Sequence, residues 1–377
     1  MNVSPWFPNL LSRIFLAACF KNQWVIPEKP PRAIERFLTW YEHSVLKIST
    51  SGIVIDRPIF LVSMPRSGSS MLQDLLCTHP DLAYITHTMH TFRTCFCGAE
   101  MLRRRFKLNV RGERFLGDSV EVEATSPSDP VVMWADWFRE DPYEVTCTHR
   151  AFADFSPDEI RHVYESVRRV LWCFGGKGKR FFCKNPAAIP HLPVLVKLFP
   201  DVRIIYLVRD PRLNANSMLK FRRLCAQQLD RLRAGGLKIG GGRPFVPYPR
   251  LPGLKVLLDQ FGPDDIRTTA GLCEESARLM DAIKGTLPHL LEVRYEDILE
   301  NPQNEIDRIL AFCELPPFEN SNSRFIEKFA RIGKVHHRNP AYGQMDLVEA
   351  ACPFAMQRYN YKSSRLKPEQ PPGARQP

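Results

Sequence analysis

The chain has 377 residues, of which 44% are hydrophobic and 25% charged, as is typical of a folded globular protein. Its 52 Lys and Arg residues outnumber its 41 Asp and Glu residues, and the formal net charge of +11 favours anionic ligands such as nucleotides, nucleic acid or acidic lipid. The eleven cysteines include no CxxC pair, which argues against a zinc site and favours buried thiols in a reducing compartment.

An apolar segment at residues 8–20 is interrupted by Arg13 and is too short to span a bilayer. One helical face of this segment carries Leu10, Leu11, Ile14, Phe15 and Ala18. We predict that this helix packs against the core, and a helix lying on a membrane surface is the alternative. The chain is therefore expected in the cytoplasm, with peripheral membrane association through this helix if the alternative holds.

Strands and helices alternate along the rest of the chain. Short apolar runs predict strands at 58–63, 82–85, 181–184, 202–208 and 290–294. Helical periodicity and capping residues predict the intervening helices, including 33–47, 157–174, 191–199, 265–284 and 302–312. This order predicts a three-layer α/β P-loop fold, in which helices flank a central parallel sheet.

Four regions frame or interrupt this alternation. Residues 93–156 suggest an irregular, partly helical insertion, and the Gly/Pro-rich stretch 233–252 suggests a mobile loop. We predict an N-terminal helical segment at 1–50, a single domain at 51–365 and a disordered tail at 366–377, where prolines are frequent and apolar residues few.

The first predicted strand runs directly into a loop of small residues, and a helix follows. The loop reads Met64-Pro65-Arg66-Ser67-Gly68-Ser69-Ser70. In a strand–loop–helix of this kind, successive backbone N–H groups and the positive end of the helix dipole form an anion site. The sequence therefore predicts a phosphate-binding loop.

The loop departs from the GxxxxGK[ST] pattern of ATP-binding P-loops. Ser63 stands at the first Gly position and Ser69 at the Lys position, while the positive charge lies at Arg66. After the strand at 202–208, Arg209 occupies the place of a metal-holding Asp. We therefore predict no metal site, and keep a P-loop nucleotide kinase or NTPase as the alternative function.

A second polar segment also follows a buried strand and opens a helix. It runs from Arg209-Asp210-Pro211-Arg212 to Ser217. An arginine at a strand end and a serine on the next helix can converge on a second phosphate. Two separate anion sites on one sheet suit a nucleotide with phosphates at its 5′ and 3′ positions.

Together these two segments resemble the paired motifs of the PAPS-dependent sulfotransferases, most closely the group that includes bacterial and tyrosylprotein-type enzymes. The resemblance covers about residues 58–320. It implies that the 5′-phosphosulfate is held by Arg66, Ser67, Gly68, Ser69 and Ser70. It also implies that Arg209 and Ser217 hold the 3′-phosphate.

Two further segments resemble features of the same family. Lys184-Asn185-Pro186 resembles a segment near the sulfonate, and Arg294-Tyr295-Glu296-Asp297 resembles a structural segment. The family resemblance implies transfer of a sulfonate from PAPS to a hydroxyl or amine of an acceptor. Arg66 and Lys184 would then stabilise charge on the leaving phosphate, without a metal.

The residue that accepts the proton of the acceptor is the open question. Many relatives place a Glu in the loop after the second strand, where this chain has Met89. His87 and His90 flank that position and are the first candidates, because imidazole titrates near neutral pH. Glu123 and Asp129 are the carboxylate candidates. His336 and His337, near Arg338, are expected beside the cofactor or at the surface.

Binding to nucleic acid is not expected, because the basic residues are scattered and are not interleaved with aromatic residues. The acceptor could be a sugar, a lipid, a small alcohol or a peptide tyrosine, and the sequence predicts no oligomeric state.

Overall fold

The computed structural model describes residues 6–20, 24–27, 29–113, 121–147, 150–186, 188–319, 321–332 and 342–362. Its central element is a five-stranded parallel sheet with the strand order β2-β5-β1-β6-β7. The strands of this sheet are β1 (Ile59–Ser63), β2 (Leu82–Tyr84), β5 (Arg180–Asn185), β6 (Arg203–Val208) and β7 (Leu290–Arg294). All five lie within two residues of their predicted positions.

Helices cover both faces of this sheet. They are α1 (Leu10–Phe20), α2 (Arg32–Trp40), α3 (Ser69–Leu76), α4 (His87–Thr91), α5 (Phe96–Arg105), α6 (Val131–Phe138), α7 (Pro157–Cys173), α8 (Leu192–Leu198), α9 (Pro211–Ala234), α10 (Leu254–Phe261), α11 (Ile266–Ile283), α12 (Tyr295–Glu300), α13 (Pro302–Phe312), α14 (Ser323–Phe329), α15 (Met345–Ala351) and α16 (Pro353–Arg358). A π-helical turn, Tyr41–Leu46, continues α2.

Alternate residues of β1 divide the core into two layers, because successive side chains of a strand point to opposite faces. Phe60 and Val62 belong to a large cluster with side chains of α7, α8, α9 and α11. Ile59 and Leu61 belong to a second cluster with side chains of α3 and α13. The predicted three-layer α/β fold is therefore confirmed.

Helix α7 begins where its sequence predicts. The Ser156 side chain accepts a hydrogen bond from the Glu159 N–H (3.3 Å), and a Glu159 carboxylate oxygen accepts one from the Ser156 N–H (2.8 Å). Pro157 fills the first helical position, where its missing N–H costs nothing. This reciprocal cap satisfies two of the free N–H groups at the start of the helix.

The insertion at residues 93–156 is more regular than its sequence suggests. It contains α5, α6 and an antiparallel hairpin of β3 (Arg111–Glu113) and β4 (Glu121–Glu123). The stretch 233–252 is anchored by buried apolar side chains, which include Ile239, Phe245 and Leu251. This anchoring argues against the predicted mobile loop.

The prediction for the N-terminal helix is wrong in one respect. Leu10, Leu11 and Ile14, which were expected to pack against the core, are 70%, 60% and 63% exposed. The opposite side of α1 is buried instead, through Ser12 and Leu16. Helical periodicity locates the apolar positions of a helix. When a helix has apolar residues on both sides, as α1 does, periodicity does not show which side packs against the core.

Other predictions can be placed only in part. The tail at 366–377 and the residues His336, His337 and Arg338 lie outside the described residues. Of the ten cysteines that the structure describes with free thiols, all but Cys147 are buried. Within the described ranges, no helix is both long enough and apolar enough to cross a membrane.

Candidate active site

The loop between β1 and α3 lies at the edge of the sheet where all five parallel strands end. The backbone at Gly68 has φ +92°, and Arg66 also adopts a positive φ, +69°. The Ser67 hydroxyl donates to the Met64 carbonyl (2.8 Å), which closes the loop on itself. A side chain at position 68 would collide with Tyr295, since an added Cβ would lie 2.3 Å from that ring. The loop therefore needs glycine at this position for two independent reasons.

The second polar segment folds against this loop. Arg209 follows β6, and one of its terminal nitrogens donates to the Arg66 carbonyl (2.8 Å). The Arg209 guanidinium lies over the Tyr295 ring, 5.1 Å from the ring centre. Ser217, on α9, accepts a hydrogen bond from Arg66 Nε (3.3 Å). The structure thus brings the two sequence motifs into direct contact.

Lys184 joins the loop from the neighbouring strand β5. Its side chain is almost fully buried, and Nζ donates to the Ser70 hydroxyl at the start of α3 (2.9 Å). The same Nζ lies 2.7 Å from Asp129 Oδ1. The Asp129 side chain is 41% exposed, so this carboxylate connects the buried ammonium with solvent.

The segment that carries Asp129 is held in place by its neighbours. The Ser128 N–H donates to the Ile85 carbonyl just beyond β2 (2.9 Å). Gln73, on α3, donates through Nε2 to the Ser128 carbonyl (3.2 Å). Asp129 therefore lies at a defined position beside the phosphate-binding loop.

His90 lies in the interior beside this segment. Its Nδ1 shares a hydrogen bond with the Ser128 hydroxyl (2.8 Å), and its Nε2 accepts the Val132 N–H at the start of α6 (3.5 Å). Burial, together with the nearby charges of His87 and Arg93, lowers the pKa of His90 to about 3. Both ring nitrogens are engaged, which leaves no lone pair for another proton.

The other candidates for the proton acceptor lie elsewhere. His87 is the first residue of α4 and is partly exposed, and Met89 is fully buried. Glu123 is on the β3–β4 hairpin, where its carboxylate accepts a hydrogen bond from Asn109 Nδ2 (3.2 Å). Of the carboxylates considered from the sequence, Asp129 is the one in contact with Lys184.

Residues that the sequence did not single out support the two motifs. Asn214 donates through Nδ2 to the Pro65 carbonyl (2.8 Å) and so ties α9 to the loop. The Asp210 N–H donates to Glu296 Oε1 (3.0 Å), and the Tyr361 hydroxyl donates to Glu296 Oε2 (2.9 Å). Asn214 lies within the second motif, residues 209–217, so the sequence could have identified it as a residue of the site. Tyr361 lies far along the chain, and no local pattern points to it.

Several buried polar atoms at this edge have no hydrogen-bond partner among the described residues, and two of them lie beside the loop. These two are Arg209 Nε and Ser63 Oγ. Because an unpaired buried donor is costly, an orphaned guanidinium nitrogen beside a phosphate-binding loop fits an anionic ligand. In the same described ranges, there is no group of three or more His, Cys, Asp or Glu side chains that could hold a metal ion.

The parallel sheet, the loop at the end of β1 and the arginine at the end of β6 define a P-loop-type α/β protein with a site for a phosphorylated ligand. A model of the sulfotransferase family matches residues 58–236. Over this region, which is just under half of the chain, the protein is similar to the sulfotransferase family.

Individual relatives are distant in sequence. The chain is 22% identical over 285 residues to omega-hydroxy-beta-dihydromenaquinone-9 sulfotransferase Stf3 of Mycobacterium bovis, a match that spans 71% of this chain and 65% of the relative. It is 25% identical over 285 residues to carbohydrate sulfotransferase 6 of Homo sapiens, across 68% of this chain and 64% of the relative. The chain thus matches less than two thirds of the length of either relative.

The fold is also that of a solved sulfotransferase. The structure of sulfotransferase STF9 from Mycobacterium avium superposes with a TM-score of 0.50 at 18% sequence identity, and the alignment covers 95% of this chain and 86% of that one. At this identity the likeness concerns the fold alone.

Proposed function

We propose that this protein is a sulfotransferase that moves a sulfonate group from PAPS to a hydroxyl of an acceptor. The contact between Arg66 Nε and Ser217 Oγ (3.3 Å) carries the proposal, because it joins the two motifs that the resemblance assigns to opposite ends of PAPS. The match of residues 58–236 to the sulfotransferase family model supports the same reaction.

The described side chains suit the two ends of PAPS differently. The backbone N–H groups and hydroxyls of residues 66–70 would hold the 5′-phosphosulfate at the start of α3. Arg209 Nε, which lacks a partner among the described residues, and the Ser217 hydroxyl would hold the 3′-phosphate. Each phosphate would then meet at least one guanidinium or hydroxyl donor.

In the proposed reaction the acceptor oxygen attacks the sulfur of PAPS. The bond between sulfur and the bridging phosphate oxygen breaks, and its electron pair stays on that oxygen, so that PAP leaves. Lys184, beside Ser70, is placed to stabilise the negative charge that grows on the leaving phosphate. The acceptor hydroxyl must lose its proton in the same step.

We assign that proton to Asp129. Its carboxylate is partly exposed and adjoins Lys184, whereas His90 is buried with both ring nitrogens engaged. A base must reach the substrate, and the buried His90 imidazole would need to break a hydrogen bond before it could accept a proton. His87, which is partly exposed, is the competing base.

The acceptor is proposed to be an alcohol. The two relatives are named for an omega-hydroxy menaquinone and for carbohydrate, and both classes of compound carry hydroxyl groups. A lipid alcohol and a set of oligosaccharides are therefore the first acceptors to test.

The decisive measurement is transfer of labelled sulfonate from PAPS to these acceptors. Asp129→Asn should lower kcat by roughly 100-fold or more, the usual contribution of a general base, while PAP affinity stays near that of the wild type. Glu123→Gln, on the hairpin, is the matched control and should keep full activity.

Three results would count against the proposal. Normal turnover by Asp129→Asn together with a large loss in His87→Gln would move the base to His87. Transfer to no acceptor would remove the sulfotransferase activity, and phosphate transfer from Mg-ATP would establish the kinase alternative.

A further inference from the structure

The outer side of α1 is an exposed apolar surface. Leu10, Leu11 and Ile14 lie within about one third of the helix circumference, and each is at least 60% exposed. Solvent-facing sides of helices in globular proteins are usually polar. The outer side of α1 therefore lacks the polar side chains that are usual on a solvent-facing helix.

Two further exposed aromatic side chains belong to segments that are joined to α1. Trp6, just before α1, is exposed and pairs through its backbone with Arg111 (2.8 and 3.0 Å). Phe106, in the turn after α5, is also exposed. That turn is tied to α1, because the Asn109 N–H donates to the Ser12 hydroxyl (3.2 Å). We call Trp6, Leu10, Leu11, Ile14 and Phe106 the N-terminal apolar surface.

The inner side of α1 is already packed. Leu16 is fully buried in a cluster with Leu108 and Val110. Phe15 stacks on Phe92 at a ring distance of 5.3 Å, which fixes α1 on α4. Because the inner side of α1 already packs against the protein, the apolar residues on its outer side do not contribute to the described core.

Basic side chains lie on α1 and on the turn after α5, while the hairpin beside Trp6 also carries Glu121, which is ion-paired with Arg111. Arg13, on α1, and Arg105 and Lys107, on either side of Phe106, are exposed. The first acidic residue of the sequence is Glu28, so α1 carries no negative charge. Apolar and aromatic side chains flanked by Lys and Arg are the composition of helices that lie in the interface of an anionic bilayer.

We propose that the N-terminal apolar surface binds an anionic lipid bilayer, with α1 lying in the plane of the membrane. The inserted side chains would be those of Trp6, Leu10, Leu11, Ile14 and Phe106, while Arg13, Arg105 and Lys107 contact lipid phosphates. A second copy of this chain fits less well, because a symmetric contact would bring the same three basic residues of both copies together.

The experiment is sedimentation of the full chain with vesicles of phosphatidylcholine, with and without phosphatidylglycerol. The wild type should bind the anionic vesicles, and the double variant Leu10→Ser/Ile14→Ser should bind them at least ~10-fold more weakly, because two large apolar side chains no longer insert. Arg13→Gln should weaken binding to anionic vesicles and leave binding to neutral ones unchanged.

The matched control is Val256→Ser/Ile326→Ser, which replaces two apolar residues that are 65% and 52% exposed on α10 and α14. It should bind vesicles like the wild type. An equal loss in this control would show a general effect of surface hydrophobicity and overturn the proposal. Thermal unfolding and PAP binding, unchanged in all variants, would show that the variants are folded.

Two other outcomes would also overturn it. Wild-type protein that fails to sediment with anionic vesicles has no such surface. A wild-type dimer in light scattering that becomes a monomer in Leu10→Ser/Ile14→Ser would assign the surface to a second copy of the chain. Vesicle binding requires no catalysis, so the result is independent of whether sulfonate transfer is found.

Discussion

At the scale of single residues, the ion pair of Lys184 and Asp129 decides what the site can do. A buried ammonium is costly unless it is paired and hydrogen-bonded, and Asp129 and Ser70 provide both partners. An incoming phosphosulfate would offer Lys184 a second anion, which would free the Asp129 carboxylate to accept a proton. In the proposed reaction, the same pair would stabilise the site before binding and take part in the chemistry afterwards.

His90 gives a prediction for the pH dependence of stability. Its pKa is about 3 in the folded protein against 6.5 ordinarily, so the unfolded chain binds more protons between these values. The free energy of unfolding should therefore fall as the pH drops below 6.5, by up to ~1.4 kcal/mol per pH unit. When the free energy of unfolding in urea is measured at pH 7 and at pH 5, its decrease should be about 2 kcal/mol smaller for His90→Gln than for the wild type.

His162→Gln is the control for this measurement. The hydrogen bond to Asp136 raises the pKa of His162, so its contribution is present at low pH and is lost as the pH rises. Removing His162 should therefore not reduce the loss of stability in acid. If His90→Gln and the wild type lost equal stability between pH 7 and pH 5, His90 would titrate normally and could not be as buried as described.

At the scale of elements, the loop between β1 and α3 gives the second prediction. Gly68→Ala forces a side chain into a left-handed backbone, at a cost of roughly 1–2 kcal/mol, and also drives a Cβ into the Tyr295 ring. Because Tyr295 stacks on Arg209, PAP binding should weaken roughly tenfold or more along with stability.

Gly52→Ala separates these two effects. Gly52 also has a positive φ, +84°, but nothing lies within 4 Å of an added Cβ. Its substitution should cost only the backbone strain, and PAP affinity by calorimetry should not change. Equal losses of PAP affinity in the two variants would show that the contact with Tyr295 is unimportant.

The elements also show which structure was predictable from local sequence. The five strands and the start of α7 followed from short apolar runs and from Ser156 followed by Pro157, which are local patterns. The β3–β4 hairpin was missed because its strands have three residues each and carry charged side chains. The exposed side of α1 was misassigned because that helix is apolar around most of its circumference.

Part of the candidate site was likewise predictable from local sequence, and part of it was not. The phosphate-binding loop is continuous in sequence, so it could be identified from residues 63–70. The contact of Lys184 with Asp129 and the close approach of Tyr295 to Gly68 join segments far apart in the chain, and only the topology of the sheet brings them together. Asp129 was one of four candidates from the sequence, and its contact with Lys184 distinguishes it from the other three.

At the scale of the whole molecule, the order of the sheet explains how remote segments converge. β1 lies between β5 and β6, so the residues that follow these three parallel strands share one edge. Lys184, the loop after Ser63 and Arg209 occupy these three positions. A ligand bound there contacts three strand ends and α9 at once, and its binding should therefore stabilise the domain as a unit.

This coupling gives the last prediction, which also separates the proposed function from the kinase alternative. PAP at 100 times its Kd should raise the free energy of unfolding by ~2.7 kcal/mol, seen as an increase in Tm. Mg-ATP has no 3′-phosphate for Arg209 and Ser217 and should give a much smaller shift. Arg209→Ala should lose at least about half of the PAP effect, since a charged hydrogen bond contributes roughly 1.5–3 kcal/mol. The control Arg231→Ala, exposed near the end of α9, should keep the full effect. A larger shift with Mg-ATP than with PAP would contradict the assignment, because the second motif would then have no 3′-phosphate to bind.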